Sequence, residues 1–112
     1  PLEGGYRNRF MELMSDDGEH DVDEDVAEAF FRAQQTWDAT MAGSVASRRP
    51  SGDGASILML GRFHSDHDGG TVVLLQRLLP DAEIVVISLG PPDEDMEGPP
   101  ADLMIRDARP SE

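Results

Sequence analysis

Two short runs limit what this chain can become. Residues 56–60, SILML, and 83–89, EIVVISL, are almost wholly aliphatic and too short for an amphipathic helix. Runs of this kind bury both faces, as strands inside a parallel sheet do. Between them TVVLLQRLL, 71–79, spaces Val72, Leu75, Leu78 and Leu79 at helical intervals before Pro80 and Asp81 stop it. Strand, loop, helix and strand make a βαβ unit whose first loop is 61–70. ADLMIRD, 101–107, adds a last short strand. Two or three buried strands leave edges with unpaired backbone groups, so the sheet is incomplete by itself. The expected class is α/β: a partial parallel sheet with a long amphipathic helix and a βαβ unit. A missing N-terminal half of the domain, or a partner chain, is expected to complete it.

The 112 residues suit one domain or a fragment of one. Residues 1–47 form a helical part with an acidic linker at 15–25, and 56–107 form the βαβ part with a Pro-rich acidic loop at 90–100. In the first part, PLEGGYRNRFMELM places Tyr6, Phe10, Leu13 and Met14 as a short amphipathic helix would. The longest helix runs over about 24–47, with Asp23 as N-cap and Glu24 and Asp25 at the positive end of its dipole. A turn of about 100° per residue puts Val26, Phe30, Trp37, Met41 and Val45 on one stripe. Gln34 falls in the middle of that stripe, and Asp38 lies about 40° from Gln34. An amide and a carboxylate on an apolar face need partners. They either bond a neighbouring loop and fix its position, or line a cavity, and both readings hold together. Arg48, Arg49 and Pro50 end the helix, and SGDGA links it to the first strand.

Composition removes several classes of function. Nine basic against 23 acidic residues give a formal charge of −14, which repels nucleic-acid backbones and anionic membranes. With no cysteine there are no disulfides, thiolate zinc sites or cysteine nucleophiles. No apolar run approaches the length of a membrane span, so membrane attachment is expected only through a lipid anchor outside this chain. Asp21, Asp23 and Asp25 resemble a calcium loop, but Val26 stands where that turn needs glycine.

The loop LGRFHSDHDGG, 60–70, carries the chemistry. Ligands in open α/β sheets collect beyond the carboxyl ends of the strands, and this loop is at such an end. Three residues separate His64 from the strand, near enough for the scaffold to hold its ring. Imidazole serves as a metal ligand or as a general base near neutral pH. Asp66, His67 and Asp68 are further possible ligands, and Arg62 adds a cation to the same lining. Gly61 permits a sharp turn, and Gly69 and Gly70 open the next helix. The plainer reading is solvated turn chemistry, with Asp68 capping the helix. No Walker-type lysine and no nucleophile elbow are present in the loop.

Taken together, AFFRAQQTWDATMAGSVA (29–46) and ILMLGRFHSDHDGGTVVLLQRLLPDAEIVVIS (57–88) resemble the ChaN-like haem-binding family, with a distant relation to Tiki-type and erythromycin-esterase-type proteins. The helix motif is Ala33, Gln34, Trp37, Asp38, Thr40, Met41 and Ala42; the loop motif is Gly61 and His64, with Gly70 beyond. The resemblance implies haem binding linked to bacterial iron acquisition, in a periplasmic or membrane-attached setting. It also implies that a second protomer can share the haem. In the wider superfamily the loop histidine belongs to a metal-dependent active site, so a divalent metal ion and hydrolysis are the alternative. His64 is the residue carried across for either role, with Tyr6 and His67 as further candidate ligands. Gln34, Trp37, Asp38, Met41, Gly61, Arg62, Asp66, Asp68 and Gly70 are expected to line the pocket. The family's first strand and its GE.H motif are not found here. Gly18, Glu19 and His20 spell the letters, but in the acidic linker with no strand before them. Phe63 stands where the family commonly has glycine.

Overall fold

A computed structural model describes residues 4–15, 23–49, 54–91 and 100–106. Gly18, Glu19 and His20, most of the acidic linker and residues 92–99 lie outside the described residues. The elements in chain order are α1 (Gly5–Ser15), α2 (Glu24–Arg48), a single 3-10 turn (Arg62–His64), α3 (Gly70–Leu78), β1 (Ile87–Gly90) and β2 (Leu103–Arg106). The start of α2 follows from its charges. The Asp23 carboxylate accepts the backbone N–H of Asp25 at 3.0 Å, while Glu24 and Asp25 occupy the first turn.

Helices and sheet together make this a mixed α/β fold. β1 and β2 pair in parallel, with Ile87 opposite Leu103 and Gly90 opposite Arg106. The pairing extends one residue back: the Val86 carbonyl accepts from Leu103 N–H at 3.1 Å, and Val86 N–H donates to the Asp102 carboxylate at 2.7 Å. The second aliphatic run thus pairs only over its last part. The first run is corrected further. Residues 54–60 form no regular element and pair with no strand among the described residues, and Ile57 and Met59 are 90% and 89% exposed. Aliphatic character suits a run to a sheet interior, but a ladder also needs a neighbour, and none of the described residues supplies one.

The core is aromatic and knits the helices to the loop. Tyr6 and Phe10 of α1 meet Phe31 of α2, with Phe63 of the loop and Val73 and Leu74 of α3 packed against them. Ring centroids lie 5.3 Å apart for Phe10 and Phe31 and 5.3 Å for Tyr6 and Phe63, in tilted arrangements that aromatic quadrupoles favour. An Arg7–Glu28 ion pair also joins α1 to α2.

The buried row of α2 is not the stripe of large apolar residues. It consists of Ala27, Phe31, Asp38 and Ala42, one residue round from that stripe, while Val26, Phe30 and Trp37 are exposed. The reason is close approach: α2 packs on α3, and Ala42 is fully enclosed. Small side chains let the two backbones come together, whereas a hydrophobicity count selects large ones. No described helix is long and apolar enough to cross a membrane.

Candidate functional site

The site is built around one carboxylate. Asp38 is fully buried on α2, and three elements send donors to it. The Tyr6 hydroxyl of α1 donates to Oδ2 at 2.6 Å, and the Thr71 hydroxyl of α3 donates to Oδ1 at 2.7 Å. His64 Nδ1 lies 2.7 Å from the same Oδ1. Among the described residues no buried side-chain nitrogen or oxygen is left without a partner, as a buried polar cluster requires.

Two glycines make this convergence possible. A Cβ on Gly70 would sit 2.7 Å from Asp38 Cγ and 2.8 Å from Tyr6 Cε1. A Cβ on Gly69 would lie 2.8 Å from the Ser65 nitrogen, and closer still to the His64 carbonyl. α3 therefore starts against the carboxylate because no side chain keeps it away. Gly69 is also its N-cap and makes no side-chain bond, so Asp68 is not the cap. Asp68 and His67 instead take the left-handed backbone conformation, each with φ 54°.

The rest of the loop is clamped from outside. Asp66 accepts from Arg62 Nε at 2.8 Å through Oδ2 and from the Ser88 hydroxyl of β1 through Oδ1. Arg9 of α1 donates to the carbonyls of Asp66 at 3.3 Å and His67 at 3.2 Å, and His67 N–H donates to the Pro100 carbonyl at 2.7 Å. Phe63, in place of a glycine, buries its ring in the aromatic core directly beside His64. His64 is thus held from both sides along the chain.

These bonds set the chemistry of the imidazole. Asp38 only accepts, so the ring proton sits on Nδ1 and the neutral ring carries its lone pair on Nε2. The Gln34 amide nitrogen lies 3.1 Å from Nε2 and 3.3 Å from Nδ1. Its near-equal distance from the two nitrogens places it over the ring. The His64 side chain is 19% exposed, enough for a ligand to reach the ring edge. Burial, and then the hydrogen bond to Asp38, push the Tyr6 hydroxyl well above the ordinary tyrosine range. Tyr6 is therefore a neutral donor that supports the carboxylate.

The structure brings His64, Gln34, Asp38, Tyr6 and Gly70 together. Gly61 adjoins them, its carbonyl accepting His64 N–H at 3.0 Å. Met41 is half-buried, and Arg62 and Asp66 are engaged with each other. His67 and Asp68 are exposed, and Trp37 is 64% exposed, about 100° round the helix from Asp38. Sequence reasoning missed Thr71, Ser88 and Arg9. The first two had a signal: each is a hydroxyl inside an otherwise aliphatic run. Among the described residues no three His, Cys, Asp or Glu side chains are grouped to hold a metal ion.

A family model described as haem-binding uptake, Tiki superfamily, ChaN matches residues 1–75. The match takes in α1, α2, the His64 loop and the first part of α3. No curated protein and no solved structure matches the chain.

Proposed function

The chain belongs to the ChaN haem-binding uptake family of the Tiki superfamily, and from that premise we propose that it binds haem, with His64 as the residue that would hold the iron. The observation that supports this reading is the Nδ1 contact with the buried Asp38, which fixes the orientation of a ring that stays partly exposed. A second group on the far ring nitrogen is the usual way a metal-ligating imidazole is fixed in tautomer and orientation. The donor set fits haem better than a bare divalent ion. Porphyrin supplies four nitrogens to its iron, so a single imidazole suffices, whereas a hydrolytic zinc site needs about three protein ligands.

The neighbouring surface suits a flat apolar ligand. Phe30, Gln34 and Trp37 follow one another along one edge of α2, and Phe30 and Trp37 are exposed. The two aromatic residues stand about 10 Å apart along the helix axis, on either side of the amide that touches His64. His64 would hold the iron, and Gln34, which contacts its ring, would lie next to the bound group. Tyr6 and Thr71 keep Asp38 in place, and Asp38 keeps the ring in place. The setting we infer is bacterial haem-iron acquisition, periplasmic or membrane-attached, in which a second protomer would share the haem.

Titration with hemin tests the proposal. A shifted, sharpened Soret band is expected, lost in His64→Ala. A spectrum indistinguishable from free hemin, or an unchanged one in the variant, would overturn it. The Asp38–His64 pair is also the arrangement of a general base. Ester or phosphodiester turnover that depends on His64, with no Soret shift, would favour that second reading.

A further inference from the structure

The buried Asp38 does more than hold a ring in place. It is fully enclosed, so water screens its charge little. Its three donors are unequal. The Tyr6 and Thr71 hydroxyls, at 2.6 and 2.7 Å, are neutral. Tyr6 keeps its proton because burial and Asp38 both oppose its ionisation. His64, with Nδ1 at 2.7 Å, is the one donor with a second ring nitrogen, on a side chain that stays 19% exposed. A carboxylate bonded to one nitrogen of an imidazole makes the other a stronger electron donor to a metal. The buried charge thus acts through the ring.

A stronger donor with an anion behind it favours whichever form of a ligand carries more positive charge. Ferric haem carries one positive charge more at its iron than ferrous haem does. Burial, and hydrogen bonding behind the residue that holds the iron, are two of the levers by which a protein sets the potential of a haem. We propose that Asp38 makes the site selective for ferric over ferrous haem, acting through the Nδ1–H of His64; this rests on the reading of His64 as the residue that holds haem. Affinity and potential are linked, so one-electron reduction weakens the hold on haem by the factor of that preference. Thr71 tempers the effect. Its hydroxyl donates to Oδ1, the same oxygen that His64 uses, and so competes with the imidazole for one acceptor.

Redox titration of the hemin-loaded full chain, with dithionite as the reductant, tests this, and circular dichroism checks that each variant folds. Asp38→Asn keeps the shape and removes the charge. Its ferric preference should fall about tenfold, a rise in midpoint potential of about 59 mV for one electron. Thr71→Val removes the competing hydroxyl and leaves the carboxylate, so its potential should fall below the parent's. Loss of order at the site cannot move the two variants in opposite directions. Shifts of the same sign in both, or none in either, overturn the proposal. Where Asp38→Asn holds no haem, Thr71→Val decides alone, and a potential at or above the parent's overturns it. The preference and the assignment beneath it fail differently. A hemin spectrum left unmoved by the parent chain removes the His64 assignment and the preference with it. A shifted Soret band whose potential ignores Asp38 and Thr71 removes the preference and leaves His64 standing.

Discussion

Replacing Gly70 by alanine tests the geometry of the site with a single methyl group. The new Cβ would lie 2.7 Å from Asp38 Cγ and 2.8 Å from Tyr6 Cε1. Ordinary carbon contacts begin at about 3.5 Å, so the carboxylate or the helix must retreat by about 0.8 Å. Neither neighbour is the free end of a surface side chain: Asp38 is fully buried and Tyr6 is 5% exposed. The retreat stretches hydrogen bonds of 2.6 and 2.7 Å beyond the useful limit of about 3.2 Å. Each bond to a charged group contributes about 1.5–3 kcal/mol, so losing one or two costs about 2–4 kcal/mol, even after alanine's better helix propensity. Two other glycines are the controls. A Cβ on Gly61 finds only ordinary contact at 3.9 Å with φ −65°, and one on Gly43 in α2 meets nothing within 4 Å. Gly61→Ala should be neutral or stabilising by up to about 1 kcal/mol, and Gly43→Ala stabilising by about 1 kcal/mol. Urea unfolding followed by circular dichroism reads all three, and hemin titration reads the site. Gly70→Ala as stable as the parent, or a loss shared equally by the three variants, would refute the packing argument.

Asp38→Asn keeps the shape but turns one acceptor into a donor facing the Tyr6 hydroxyl; hemin affinity should fall about 10–100-fold, as for other groups that orient a metal ligand. An affinity unchanged in this variant would remove Asp38 from the mechanism. Tyr6 holds its proton in the folded chain first because of burial and then because of Asp38. Its contribution to stability is therefore complete below the unfolded value near pH 10 and is lost as pH rises above it. The chain has one tyrosine, so the tyrosinate absorbance band reports this group alone; its appearance near pH 10 in a natively folded chain would contradict the placement. Trp37→Ala, at an exposed position, should change stability by less than about 0.5 kcal/mol and yet weaken hemin binding. Equal hemin affinity in Trp37→Ala and the parent would mean that the ligand lies elsewhere.

The parts legible in the sequence were those governed by local rules. Asp23 announces the start of α2 as a short polar residue ahead of two acids, and the Gly-rich loop lies after an aliphatic run. Gln34 and Asp38 stood out as polar residues on an apolar stripe, and both contact His64. The stripe itself was misplaced, because periodicity weighs side-chain size while packing against the neighbouring helices buries the small Ala27 and Ala42. Residues 56–60 failed as a strand for a similar reason: composition states what a segment suits, and pairing depends on what lies beside it. Thr71 and Ser88 were overlooked because a single hydroxyl in an aliphatic run carries little weight until a carboxylate is found opposite.

Asp38 also separates a structural reading of this cluster from a functional one. A buried carboxylate is a poor device for stability alone, since well-packed apolar residues of the same volume often serve as well or better. Here it is retained with a full complement of donors from three different elements. Two of them, the Tyr6 and Thr71 hydroxyls, donate to it and fix its position. The third is the imidazole, the one member with a second nitrogen left to act. A cluster that served packing alone would have no use for that asymmetry. Instead the ring stays partly exposed beside Gln34, while the carboxylate that aims it is sealed from water. The buried carboxylate thereby fixes the ring of a histidine that stays partly exposed, and the proposal that His64 would hold haem rests on that asymmetry.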